Sequence, residues 1–236
     1  MVKTLNERQG KILNCIVGEY IDSKAPVSSK LLTKKYGFKI KPSTMRLEFQ
    51  RLTDFGYLAQ PHTSAGRVPT DKGYRFYVDN LHPKSGSREL SPLGREMDDS
   101  FRFFQQLTQR IAEMTSNLAM TYFPEEDVFF KEGWDKIFKE PEFEDTDLTQ
   151  KFTEMVEDME KNMEEFIGSD FPQVFIGKEV KSLASGGKEF SVIISKIHVS
   201  NKKDGLLALL GPKRMNYDKN VDIINSLNKT CQTKKK

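Results

Sequence analysis

The stretch KPSTMRLEFQRLTDFG, residues 41–56, constrains the fold more than any other, because Pro42 and Gly56 fix its ends. Proline fits the first turn of a helix and glycine the position just past its end, so the spacing predicts a helix over about residues 43–54. Met45, Phe49 and Leu52 form one apolar stripe, which leaves Ser43, Leu47, Gln50 and Asp54 on the opposite face with Arg46 beside them. One face of this helix is committed to a core and the other is free. Upstream, Ile12, Leu13, Ile16, Val17, Tyr20 and Ile21 recur at helical spacing behind Thr4 and Glu7, which have capping-box spacing. That helix is expected to stop near Ser23–Pro26, and residues 28–36 form a second, ended by Gly37. Downstream, Tyr57–Leu58 and Val68–Pro69 read as short strands joined by AQPHTSAGR, and DKGYRFYVDNL reads as a helix capped by Thr70. Three helices, a hairpin and a fourth helix follow the order of a winged helix-turn-helix, expected over residues 1–82.

HPKSGSRELSPLG marks a domain boundary, with a linker at 83–92. Beyond it, Leu93, Met97, Ser100, Phe104, Leu107, Ile111, Met114 and Leu118 alternate at spacings of four and three. Such a stripe predicts a long linking helix with a coiled-coil or bundle seam. Pairing between two chains and packing on the protein's own core both satisfy it. An acidic, aromatic-rich loop is expected at 125–145, then a helix carrying Leu148, Phe152, Met155, Met159, Met163 and Phe166, a stripe that reads as core. QVFIG, FSVIISKIHV and GLLALLG read as strands, with a turn at NKKDG and a closing helix from about Asn216 to Asn228. The fold class is therefore α+β: a winged helix-turn-helix, a linking helix and a small α+β domain within residues 93–236.

Charge divides the same way. Residues 1–82 hold 14 Lys/Arg against 7 Asp/Glu, a balance of +7, while residues 83–236 hold 23 against 27, a balance of −4. Within the second part, residues 125–170 carry 17 acidic and 5 basic residues. A basic first part joined to an acidic second one fits an anion-binding module coupled to something else. Cys15 and Cys231 are far apart, and neither a CxxC nor a His/Cys cluster occurs, so no disulfide framework, metal site or cofactor is expected. The N-terminus has no apolar core and no stretch approaches 18 apolar residues, so a cytoplasmic protein without membrane partners is expected. His62, His82 and His198 fall in three different segments, and no phosphate-cradling glycine loop, HExxH or GxSxG is present. No catalytic residues are assigned and an enzyme is not expected.

Duplex DNA suits the first part better. A recognition helix anchors by an apolar face and offers a polar one to the major groove. Arg46 and Gln50 are long enough to reach base edges, while Lys41, Ser43, Thr44 and Arg51 suit phosphates. The hairpin HTSAGR, with Gly66 for a tight turn, offers Arg67 to a groove or the neighbouring backbone, and Lys72 and Arg75 follow as phosphate candidates. A docking module for an acidic protein, or a small-molecule sensor in the α+β part, are the alternatives that composition leaves open.

The stretch GYLAQPHTSAGRVPTDKGYRFYVDNL, residues 56–81, resembles the signature of HrcA-type heat-inducible transcription repressors. LNERQGKILNCIVGEYIDSKAPVSSKLLTKKYG and PSTMRLEFQRLTDFGYL are similar to that family's N-terminal domain, and KEPEF (139–143), FIGKE and LLALLGPKRMNYDKNVDII resemble its later markers. The resemblance implies a winged-helix repressor that dimerises on an inverted-repeat operator, called CIRCE, upstream of chaperone genes, with the chaperonin as a modulating partner. It implies DNA contacts from Ser43, Thr44, Arg46 and Gln50 on the helix and from His62, Thr63, Ser64 and Arg67 on the wing, and a GAF-like sensor domain behind them. Where the family usually reads TIRND, this chain has Thr44-Met45-Arg46-Leu47-Glu48, so an apolar Leu47 faces the groove, suited to a thymine methyl. TYFPEE also runs almost directly into DVFFKEGWDKIF, about a hundred residues short of the family pattern, so dimerisation is expected to fall to the seam of Leu93, Met97, Phe104, Leu107, Ile111, Met114 and Leu118.

Overall fold

The computed structural model describes residues 5–81, 100–167, 172–197 and 204–232. The chain divides into two compact units, Met1–Leu81 and His82–Lys236.

The first unit contains α1 (Glu7–Ser23), α2 (Ser29–Tyr36), α3 (Pro42–Asp54), the antiparallel strands β1 (Leu58–Ala59) and β2 (Val68–Pro69), and α4 (Asp71–Asp79). Each helix starts or stops on a local signal. Ser28 caps α2 by accepting the Leu31 N–H, and Thr70 caps α4 by accepting that of Gly73. Gly37 closes α2 in the left-handed region at φ 62°. Thr4 of the expected Thr4–Glu7 pair lies outside the described residues, and the capping box of α1 is formed by Asn6 and Gln9. Asn6 accepts the Gln9 N–H while the Gln9 side chain accepts from the Asn6 N–H, and Glu7 instead pairs with Lys11 at 2.5 Å. Ile12, Leu13, Ile16, Val17, Leu32, Met45 and Leu52 are fully buried and make a core shared by α1, α2 and α3.

The second unit is built on a five-stranded antiparallel sheet in the order β4-β3-β7-β6-β5. Its strands are β3 (Leu118–Phe123), β4 (Val128–Glu132), β5 (Gln173–Ile176), β6 (Phe190–Ile197) and β7 (Gly205–Pro212). Helices α5 (Ser100–Thr115) and α8 (Tyr217–Gln232) cover one face. The short α6 (Trp134–Ile137) and α7 (Thr146–Asn162), with 3-10 turns at Pro141–Glu144 and Met163–Phe166, cover the other. Every residue of β3 and β7 is buried, because each of these strands is covered on both sides. On the α7 side, Met120, Tyr122, Ala208, Leu210 and Ile194 meet Phe152, Met155 and Met159. On the α5 side, Phe104 stacks on Phe123 with ring centroids 3.5 Å apart, and the hydroxyls of Thr108 and Thr121 pair at 2.6 Å.

Two expectations are corrected here. The stripe read as one helix from Leu93 to Leu118 is divided between a helix and a strand. Leu93, Met97 and the linker lie outside the described residues. Phe104, Leu107 and Ile111 are buried on α5, Met114 is half-buried, and Leu118 belongs to β3. The helix ends because Ser116 takes a left-handed φ of 55°, and its inward stripe is consumed by the chain's own sheet, leaving those buried side chains nothing to offer a partner. The segment expected to be a loop at 125–145 instead supplies β4, α6 and an aromatic cluster. In that cluster Phe143 lies 5.0 Å from Phe152 and 6.0 Å from Phe190 between ring centroids.

Arg214, only 7 % exposed, holds that segment in place. Its Nε and Nη2 donate to Glu142 at 2.5 Å, and Nη2 also reaches Glu140 at 2.5 Å. The KEPEF segment and GPKRMNY, more than 70 positions apart, thus meet in one charge-assisted network. Tyr217, fully buried, steadies the turn that carries Arg214 by donating to the Lys213 carbonyl at 2.5 Å. Breaking a buried pair costs about 3–5 kcal/mol. Because Glu140 and Glu142 retain 20 % and 29 % side-chain exposure, Arg214→Ala is expected to destabilise the second unit by roughly 2–3 kcal/mol. Thermal unfolding followed by near-ultraviolet dichroism of the aromatic cluster measures this, and an unchanged midpoint contradicts it.

Candidate nucleic-acid interface

The polar face of α3 is presented outward because its inner face is held by more than apolar contacts. Met45, Phe49 and Leu52 are buried as the stripe requires, and Glu48, 1 % exposed, is buried among them. Its carboxylate accepts from Arg8 Nη2 at 2.5 Å and Gln9 Nε2 at 3.1 Å, with Arg51 Nη1 at 3.5 Å. Burial alone raises such a carboxyl, but the hydrogen bonds from Gln9 and Arg8 and the charges of Arg8 and Arg51 outweigh it and hold Glu48 below the usual carboxylate range. A similar tie joins α2 to α1, where Glu19 accepts from Lys35 Nζ at 2.6 Å and the Tyr36 hydroxyl at 2.9 Å.

The hairpin beside α3 is a braced frame. Arg67 exchanges both backbone hydrogen bonds with Val27, each 2.9 Å, forming an isolated bridge to the segment between α1 and α2. Gly66 permits it: a Cβ there stands 2.4 Å from the Val27 carbonyl oxygen, so close backbone approach explains this glycine better than the tight turn expected for it. At the tip, Gln60 Nε2 donates to the carbonyls of Thr63 at 2.9 Å and Ala65 at 3.0 Å, and the Ala65 N–H donates to the His62 carbonyl at 2.8 Å. His62, Thr63 and Ser64 stand exposed on this turn. Behind the hairpin, α4 docks closely, since a Cβ on Gly73 stands 2.3 Å from the Tyr57 carbonyl oxygen.

The residues singled out from sequence fall into two groups. Lys41, Ser43, Arg46, Leu47, Gln50 and Arg51 are exposed on α3 or at its start, and Leu47 at 60 % is the most exposed of the large apolar side chains among the described residues. Thr44, Arg67 and Arg75 are half-buried. Arg67 donates to Thr53 Oγ1 at 3.0 Å and Gln50 Oε1 at 3.4 Å, and Lys72 donates to the Phe55 carbonyl at 2.8 Å with its ammonium 4.1 Å from the Tyr57 ring centre. Arg75 pairs with Asp79 at 3.5 Å. Arg67 and Lys72 therefore tie the hairpin and α4 to the end of α3, while the Arg75 pair lies within α4. Sequence reasoning missed Glu48, Gln60 and Thr53, whose partners lie up to 40 positions away. His82 and His198 lie outside the described residues. Among the described residues, no group of three or more His, Cys, Asp or Glu is placed to hold a metal ion, and no helix is long and apolar enough to cross a membrane.

Comparison with known proteins adds a family and a fold. The family model described as HrcA protein C terminal domain matches residues 79–221. Proteins named heat-inducible transcription repressor HrcA are similar to this chain. That of Streptomyces avermitilis is 49 % identical over 120 residues, covering 46 % of this chain and 36 % of its own. That of Caldanaerobacter subterraneus is 39 % identical over 114 residues, covering 48 % and 33 %. The protein of Thermodesulfovibrio yellowstonii aligns over 337 residues at 25 % identity, covering 94 % of this chain and 95 % of its own. The first relatives are matched over about a third of their length, at 33 %, 37 % and 34 %. A crystal structure of a hypothetical protein at 2.2 Å resolution superposes with a TM-score of 0.80 at 19 % identity over 98 % of both chains, a likeness of fold alone.

The posture of α3 depends on Glu48, so Glu48→Ala is expected to cost about 1.5–3 kcal/mol, the range for hydrogen bonds to a charged group. The pH dependence has a definite sign. Glu48 has a lowered carboxyl in the folded state, so its contribution is complete above the ordinary carboxylate value and is lost as pH falls through the lowered one. Denaturant titrations of wild type and Glu48→Gln at a series of pH values check this. The difference in stability should be constant at neutral pH and shrink under acid, and a gap that widens on acidification contradicts it.

Proposed function

The chain belongs to the HrcA family, and from that premise we propose that it is a DNA-binding transcriptional repressor of heat-shock and chaperone genes, acting as a homodimer on an inverted-repeat operator of the CIRCE type. The observation that carries this reading is the division of α3 between a buried face of Met45, Glu48, Phe49 and Leu52 and an exposed one of Ser43, Arg46, Leu47 and Gln50. In this reading the first unit is a winged helix-turn-helix, α3 is the recognition helix and the Gln60-braced tip is the wing. Arg46 and Gln50 read base edges, Leu47 meets a thymine methyl, and Lys41, Ser43, Thr44 and Arg51 bind phosphates. His62, Thr63 and Ser64 touch the flanking backbone. Arg67 and Lys72 brace the hairpin and α4 against α3, and Arg75 is a further phosphate ligand.

The second unit is read as a reduced GAF-like domain, and the chaperonin as a modulator on the resemblance alone. Since Phe104, Leu107, Ile111 and Leu118 are buried within one chain, pairing in this proposal falls to surface other than those four side chains. Repression follows from steric exclusion of polymerase by a dimer across two half-sites. Roughly six to ten phosphate contacts per dimer make the affinity steeply salt-dependent.

Titration of a CIRCE-type inverted-repeat duplex against a scrambled duplex of equal length and salt tests the proposal. Arg46→Ala is expected to lose about 1–3 kcal/mol on the inverted repeat and little on the scrambled one. Arg51→Ala is expected to weaken both equally and to reduce the salt slope by about one per site. Equal wild-type affinity for the two duplexes counts against sequence-specific repression.

A further inference from the structure

We infer that Arg67 is a positioning residue for Gln50, and that the chain Arg67–Gln50–Asp54 makes α3 accept adenine and reject guanine at one step of its half-site; the inference rests on α3 being the reading helix. Four observations converge on it. The Arg67 backbone is pinned by its two hydrogen bonds to Val27, beside a glycine whose missing Cβ lets the two backbones approach. Its Nε is held by Thr53 Oγ1 at 3.0 Å, which aims Nη2 at Gln50 Oε1, 3.4 Å away. At the other end of the same amide, Gln50 Nε2 donates to Asp54 Oδ1 at 2.8 Å. Gln50 itself is exposed, so its remaining hydrogen-bonding capacity faces solvent.

Chemistry then fixes the orientation of the amide. A guanidinium only donates and a carboxylate only accepts, so the oxygen turns to Arg67 and the nitrogen to Asp54. An amide has two lone pairs and two N–H groups, and this chain uses one of each. One acceptor site and one donor remain. The major-groove edge of adenine presents N7 as an acceptor and the N6 amino group as a donor, which that remainder matches. Guanine presents two acceptors, N7 and O6, and Gln50 has a single N–H left to offer. An unbraced glutamine turns its amide freely and can offer both N–H groups to guanine. In this arrangement the hairpin arginine sets base preference without touching a base, and the distance between wing and helix becomes part of the reading.

The test uses the full chain and a duplex enriched by the wild-type protein from a pool with a randomised centre. In derivatives of that duplex each A·T pair is replaced in turn by G·C. Wild type is expected to discriminate by about 5- to 150-fold at the step Gln50 reads, the range of one good bidentate contact, and Gln50→Ala identifies that step by abolishing the preference. Arg67→Ala and Asp54→Ala are expected to lose the preference at the same step. Adding Gln50→Ala to Arg67→Ala is expected to cost nothing more, and the salt slope of Arg67→Ala should match wild type. A salt slope reduced by about one with A-over-G preference intact makes Arg67 a phosphate ligand and overturns the inference. Thr53→Val leaves the guanidinium charge in place and decides the matter should Arg67→Ala unfold. Weakened preference at the Gln50 step supports positioning, and unchanged preference overturns it. If the pool yields no enriched sequence with wild type, it is the assignment of α3 as a reading helix that fails. If enrichment occurs and only Arg67 is silent, the positioning role alone fails.

Discussion

A buried carboxylate decides how the first unit is put together. Glu48 lies on the inward side of α3 at 1 % exposure, where an ion without partners is untenable. Arg8 and Gln9 from the first turns of α1 satisfy it, and Arg51 closes over it from the same helix. Because these partners come from a second helix, satisfying the charge also fixes the rotation of α3 about its own axis. Apolar packing of Met45 and Leu52 supplies the drive to bury that face but tolerates some sliding. The carboxylate admits one angle, and the outward positions of Arg46, Leu47 and Gln50 follow from it.

The second unit uses the same device at a larger scale. Its sheet is covered on both faces, so its strands carry little of the alternation that usually sets register. Small residues and polar pairs do part of that work. Gly205 lies where a Cβ meets the Phe123 ring at 2.6 Å, and Thr108 finds Thr121 across the layer. Arg214 then ties the turn after β7 to the 3-10 turn at Pro141–Glu144, which seats Phe143 against Phe152 and Phe190. Polar contacts select one arrangement of an interior that apolar burial alone leaves degenerate.

Much of the first unit was legible because its signals are local. Ser28, Thr70, Gly37 and Gly56 act on the few residues next to them, and the Met45–Phe49–Leu52 stripe declares its own face. Leu47 was legible for the same reason, as an apolar residue on a polar face. The strand LAMTYF was hidden because it is buried on both sides and follows a stripe whose four–three rhythm continues into it by coincidence. Glu48 was illegible as a buried group because an acid on a helix is ordinarily solvated, and its partners are 39 and 40 positions away. Arg67 was read as a loop-tip cation because sequence places it after HTSAG. Only the bridge to Val27 and the contacts to Thr53 and Gln50 show it turned back onto the rest of the unit, just before β2.

The bridge between Val27 and Arg67 closes a large covalent loop with two backbone hydrogen bonds, and backbone groups carry no side-chain identity. The frame of the hairpin is therefore written in main chain, in Gly66 and in the bracing side chains of Gln60, Arg67 and Lys72, while the side chains of His62, Thr63 and Ser64 and the outward Leu47 form no part of it. Such a division lets selection rewrite the outward positions one at a time without renegotiating the scaffold. A lineage can drift from one target sequence to another through folded intermediates, and Leu47 marks a position where this chain has the freedom to have done so.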